Sequence, residues 1–242
     1  VADANDLILS LSKGAQRRSK SPESRAAEEG APDSHRYLRD PEAIYRESFA
    51  IIRREAKLDQ LPPDIAEIAV RLIHACGMID IAADLAFTPD VVARARAALG
   101  IGAPVVCDSA MVAAGIMRAR LPARNDIICT IEDARVQGLA RTLRTTRSAA
   151  AVELWGESLA GAVAAIGNAP TALFHLLETL AQGGARPAAI LAFPVGFVGA
   201  AESKQALIDA RLDIPFLTLK GRRGGSALAA AAVNALLIGA ES

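Results

Sequence analysis

Three polar side chains recur one helical turn apart in the segment that follows Pro62-Pro63, namely Glu67, Arg71 and His74. At 100° per residue they share one face of a helix, and Ile65, Ile68, Leu72 and Cys76 form the opposite one. Imidazole is the side chain that gives and takes a proton near neutrality. An arginine one turn before it is suited to hold a carboxylate through paired hydrogen bonds. The face therefore reads either as the solvated side of a surface helix or as a proton donor set beside an anion-binding arginine. The other histidines offer less. His35 lies in a polar N-terminal stretch, and His175 sits mid-helix in Leu173-Phe174-His175-Leu176-Leu177.

A second candidate is Gly221-Arg222-Arg223-Gly224-Gly225-Ser226. It reads as a sharp strand-to-helix turn, or as a site where backbone N–H groups and Arg222 or Arg223 bind a carboxylate. It lacks the lysine and spacing of a Walker A loop, and no G-x-G-x-x-G or G-x-S-x-G string occurs. Cys76, Cys107 and Cys129 are widely spaced and lie in apolar runs. They read as small buried hydrophobes in a reducing compartment, without disulfide or metal site.

These residues need a scaffold, and composition bounds it. The chain has 242 residues, 52% of them hydrophobic but only 4% aromatic, so Ala, Leu, Ile and Val must build the core. Basic and acidic residues balance at 27 each. Nothing in that balance draws the whole molecule to nucleic acid, although a local basic patch stays open. No apolar run reaches the roughly 18 residues of a membrane span, and the start of the sequence lacks the marks of a secretory signal. A cytoplasmic protein is expected.

Residues 13–33 are rich in Ser, Arg, Glu and Ala and poor in large apolar side chains. Residues 1–34 are therefore expected to be a disordered or unrelated extension before a domain at 35–242. Asp40-Pro41 marks a helix start, and Tyr45, Phe49, Ile52 and Ala56 continue it as one stripe. Asp64 and Glu67 have capping-box spacing in the next helix, and Gly77 is its stop. Apolar runs then appear at 104–107, 126–131, 162–166, 188–193 and 215–219, with helical patterns at 146–160, 170–182 and 226–237. Short continuous strands alternating with helices predict a three-layer α/β/α fold around a mostly parallel sheet of about five strands. Ligands of such folds sit beyond the carboxyl ends of the strands.

Several strings in this chain resemble one family in order. They include Tyr45-Arg46-Glu47-Ser48-Phe49, Arg71-Leu72-Ile73-His74-Ala75-Cys76-Gly77, Cys107-Asp108-Ser109-Ala110-Met111 and Thr146-Arg147-Ser148-Ala149-Ala150. Further on come Ala165-Ile166-Gly167-Asn168-Ala169-Pro170-Thr171, Phe193-Pro194-Val195-Gly196-Phe197-Val198-Gly199 and the glycine-arginine turn above. From about Tyr37 to Leu237 the set resembles precorrin-8X methylmutase. The resemblance implies a homodimeric, cofactor-free and metal-free isomerase of cobalamin biosynthesis. Its tetrapyrrole substrate would have a methyl group moved from carbon 11 to carbon 12, giving hydrogenobyrinate. His74 matches the family's acid–base histidine, Ser48 and Arg71 match positions that contact substrate, and Arg147 matches an arginine near the macrocycle. Asn168 and Arg222, inside matching strings, are counted with the substrate-binding residues. A cobalt-containing substrate, or a corrinoid carrier without turnover, are the alternatives.

Overall fold

A computed structural model describes residues 37–237. Residues 1–34, expected to be an extension, and His35 lie outside the described residues. The segment up to Ile44 and the body from Tyr45 onward are separate units. In the first, the chain is extended until a helix begins at Pro41.

That helix, α1, runs Pro41–Glu55, and α2 follows at Pro63–Cys76. Pro63 suits the first helical position because its missing N–H has no partner there in any case. The anticipated capping box does not form. Pro62 is the N-cap, without a side-chain cap bond. Asp64 instead accepts a hydrogen bond from the N–H of Ile65, and Glu67 is taken by Arg53. The stop at Gly77 is as read: at φ 70° its N–H bonds the carbonyl of Ile73, a left-handed turn that glycine adopts without steric cost.

The sheet has six strands in the order β1-β6-β5-β4-β2-β3. These are β1 (Leu85–Phe87), β2 (Val105–Cys107), β3 (Ile127–Cys129), β4 (Val163–Ile166), β5 (Ala189–Ala192) and β6 (Phe216–Leu219). The five expected runs are the parallel strands β2 to β6. The extra strand, β1, pairs antiparallel with β6 at one edge. Only three residues long and without a β-branched side chain, it carries no periodic signal to read.

Both sheet faces are covered. Val105, Cys107, Val163, Ala165, Leu191 and Leu217 join one core with α1, α2, α3 (Val91–Gly100), α4 (Ala110–Gly115) and α9 (Ser226–Leu237). Val106, Ala164, Ile166, Ile190 and Ala192 face the other way. There they meet α7 (Pro170–Ala181) and α8 (Ala200–Asp209). Alternate residues of each strand serve opposite cores, as a two-period demands. Two short helices, α5 (Val136–Thr142) and α6 (Arg147–Glu153), complete the set, the latter capped by the Thr146 hydroxyl. The helix anticipated over 146–160 thus breaks after Glu153 and resumes as a 3-10 turn at Gly156–Leu159. The alanines of α9 let it lie close on its neighbours, and most of its side chains are buried.

Candidate functional site

At the middle of the sheet the chain order reverses, with β3 on one side of β2 and β4 on the other. Ligands of open α/β sheets bind in the crevice at such a switch point. Here Asp108 fills it. Its carboxylate accepts hydrogen bonds from the backbone N–H groups of Gly167, Asn168 and Ala169 at 2.9, 2.9 and 2.8 Å. Burial pushes the Asp108 carboxyl above its ordinary range, and these N–H groups pull it back. The side chain stitches two loops together, so Asn168 contributes its backbone to the scaffold while its side chain is exposed.

The cleft that holds the predicted histidine lies instead among α1, α2, α4 and α9. It encloses about 290 Å³ and is lined by Tyr45, Phe49, Arg71, His74, Met117 and Asn234, with the small residues of α9. Its surface is mostly apolar, the usual composition of a small-molecule site with a few placed polar groups. The i, i+4 spacing of Tyr45 and Phe49 on α1 sets both rings beside the imidazole. Their centroids lie 5.3 and 5.2 Å from that of His74, and 5.4 Å from each other.

Ser48, between those aromatics in sequence, places its hydroxyl 2.9 Å from His74 Nδ1. If the hydroxyl donates, the neutral ring carries its proton on Nε2; if Nδ1–H donates, Nε2 is the acceptor. Either way Nε2 is the ring nitrogen left for a ligand. The Arg71 guanidinium lies 5.4 Å from the centre of the Phe49 ring, a cation–π approach. Glu67, the third member of the polar face, is drawn aside by a two-pronged pair with Arg53 at 2.7 and 2.8 Å. Hydrogen bonding from Arg53 holds the Glu67 carboxyl below its ordinary range. The pair ties α1 to α2 and so fixes the helix carrying Ser48 against the helix carrying His74.

Three predicted residues stand elsewhere among the described residues. Arg147 donates to the carbonyl of Ile131 at 3.2 Å. It lines a separate polar cleft of about 330 Å³ with Glu132, Asp133 and Gln137. Asn168 sits on the loop after β4. Arg222, on the loop after β6, lies 5.5 Å from the centre of the exposed Phe197 ring. The alternative between Arg222 and Arg223 resolves into two jobs. Arg223 is committed to Asp80 and Asp84 through separate guanidinium nitrogens, and its carbonyl accepts from the ammonium of buried Lys204. The clamp holds the loop while Arg222 stays exposed.

Other chemistry is weak here. His175 bonds Glu153 at 2.6 Å on the opposite helical layer. Burial raises the thiol of Cys107, which opposes nucleophilic use. The described residues contain no His, Cys, Asp and Glu cluster able to hold a metal ion, and no helix long and apolar enough to cross a membrane.

Two features of the site carry little sequence signal. The spacing of Tyr45 and Phe49 predicts only an apolar stripe, yet their rings stand beside the imidazole. Asn234 carried one visible signal, an amide in the otherwise apolar interior of α9. Its partners, Gly115 and Met117, lie more than a hundred residues earlier and gave none.

Fold and cleft together define a three-layer α/β protein whose distinguishing group is a hydroxyl-oriented imidazole in an aromatic-walled slot. Residues 43–238 match the CbiC family, precorrin-8X methylmutase. The chain is 58% identical over 200 residues to the precorrin-8X methylmutase of Pseudomonas aeruginosa, covering 83% of this chain and 96% of that one. It is 36% identical over 203 residues to the cobalt-precorrin-8 methylmutase of Priestia megaterium, covering 84% and 89%. Among solved structures, the precorrin-8X methylmutase of Thermus thermophilus superposes with a TM-score of 0.73 at 37% identity, over 81% of this chain and 94% of that one. This chain belongs to the precorrin-8X methylmutase family.

Proposed function

We propose that the protein is an isomerase that converts precorrin-8X to hydrogenobyrinate in cobalamin biosynthesis, with His74 as its acid–base group. The observation that carries the acid role is the 2.9 Å contact between Ser48 and His74 Nδ1 inside an aromatic-walled cleft. In a 1,5-sigmatropic shift the bond from the methyl to carbon 11 breaks as the bond to carbon 12 forms. The migrating group takes its electrons within the π-system. No nucleophile and no electron carrier are required by that balance. What helps is a held macrocycle, polarised by a hydrogen bond or proton. His74 Nε2 supplies that contact, and one positioned acid contributes about 10² to 10⁴-fold.

The substrate carries many carboxylates, which suit guanidinium groups. Arg71 stands in the cleft itself, and Ser48 reaches substrate from beside the imidazole. Arg147, Asn168 and Arg222 are assigned to carboxylates at the periphery of the bound pigment. The metal-free substrate is favoured by 58% identity to a precorrin-8X enzyme against 36% to a cobalt-precorrin-8 enzyme. The catalytic body is residues 35–242, with 1–34 as an appended segment. The match to the family over 43–238 supports that division. The protein acts in the cytoplasm as a homodimer. Exposed Phe197 and Val198, at 84% and 89% accessibility, supply apolar surface for such an interface.

The test is an anaerobic assay of the protein with precorrin-8X, followed by absorption, with His74→Ala in parallel. The wild type should form hydrogenobyrinate, and the variant should bind pigment with turnover reduced at least ~100-fold. Near-normal turnover by the variant removes His74 from the acid role. Pigment that binds the wild type without rearranging makes the protein a carrier.

A further inference from the structure

The turn from α4 into residues 116–117 forms part of the lining of the cleft that also holds the aromatic rings, and one side chain braces it. Asn234 of α9, 9% accessible, accepts a hydrogen bond from the N–H of Met117 at 2.8 Å and donates to the carbonyl of Gly115 at 2.9 Å. Both amide functions of Asn234 are therefore spent on backbone atoms two residues apart. The close approach also needs small residues on both sides, since a Cβ at position 115 would lie 2.7 Å from the Cβ of Ala230. Met117, held by this brace, keeps 42% of its surface accessible at the cleft. Tyr45 and Phe49 line the same cleft, as do Ala227, Ala230 and Ala231 of α9.

We infer that Asn234 is a positioning residue and Met117 a specificity residue: the amide brace sets Met117 as the apolar wall that fixes the width of the slot for the conjugated ring face. The inference rests on the proposed function for the identity of the ligand. Thioether side chains adapt to irregular apolar surfaces, so Met117 suits the puckered edge of a partly reduced macrocycle. Small residues along α9 leave space that larger ones would close. Although Asn234 lines the cleft, its amide oxygen and nitrogen are engaged by Met117 and Gly115. Its effect passes through the backbone at Gly115 and Met117.

The experiment combines a double-mutant cycle with two readouts. Met117→Ala, Asn234→Ala and the pair are assayed for kcat and KM with precorrin-8X, and titrated with hydrogenobyrinate. Each single change should raise KM and the product dissociation constant about fivefold or more, with kcat within about threefold. The pair should equal the worse single change, because the brace acts through the wall it holds. Additive losses, or a fall in kcat at unchanged KM, would overturn the positioning role. If Asn234→Ala does not fold, Met117→Ala decides alone, and an unchanged KM and product affinity refute the slot. A wild type that binds product but does not turn over sinks the isomerase reading while the titrations still test the slot.

Discussion

The hydroxyl of Ser48 and Nδ1 of His74 meet at 2.9 Å across two helices, 26 residues apart in sequence. The Arg53–Glu67 pair joins the same two helices. An imidazole with one nitrogen engaged presents the other in a defined direction, which is how neutral histidine is prepared for proton transfer.

Removing that engagement should cost turnover, with a smaller loss of pigment binding from the substrate contact proposed for Ser48. Ser48→Ala is expected to lower kcat about tenfold, the loss of one hydrogen bond of about 1 kcal/mol or slightly more. In a His74→Ala background the same change should have no further effect on kcat. Independent effects on kcat in the two backgrounds would mean that Ser48 does not act through the imidazole.

Adjacent arginines should separate cleanly. Arg223→Ala releases the contacts with Asp80 and Asp84 and should destabilise the fold by about 1 kcal/mol, in keeping with a partly exposed ion pair. Arg222→Ala should leave urea unfolding unchanged and raise KM for the polycarboxylate substrate. The reverse pattern in unfolding and kinetics would exchange their roles.

Lys204 gives a pH signature. Burial lowers its ammonium from 10.5 to about 8. The folded protein thus favours the neutral amine more than the unfolded chain does. That contribution is full above the unfolded value and disappears as pH falls through about 8. The stability of the wild type relative to Lys204→Met should therefore be greater at pH 10 than at pH 7. Urea unfolding of both proteins at the two values measures it, and a difference independent of pH rejects the assignment.

The parallel strands are legible because each is a short apolar run with turn residues after it, and all but the half-buried edge strand β3 are buried on both faces. The antiparallel edge at Leu85–Phe87 is not, since its identity comes from pairing with β6 and not from any pattern of its own. Helical periodicity put Arg71 and His74 on one face, but it could not show what faced them. Ser48 entered through resemblance, and the structure gives it a bonded partner. Asp108 illustrates the reverse case. A carboxylate after a strand looks like a candidate ligand, yet three backbone N–H groups consume it. Capping-box spacing at Asp64 and Glu67 failed for a related reason, because a cross-helix cation competes better for the glutamate than a local amide does.

The floor of the cleft is α9, while its walls come from α1, α2 and the turn after α4. No contiguous stretch of chain contains the slot, and its last component is separated from the first by most of the sequence. Loop-closure entropy makes such long-range assembly a late event in folding. The slot therefore cannot exist in a partly folded intermediate that leaves α9 undocked. Pigment that binds only the completed slot would then report finished folding and stabilise the native state by mass action.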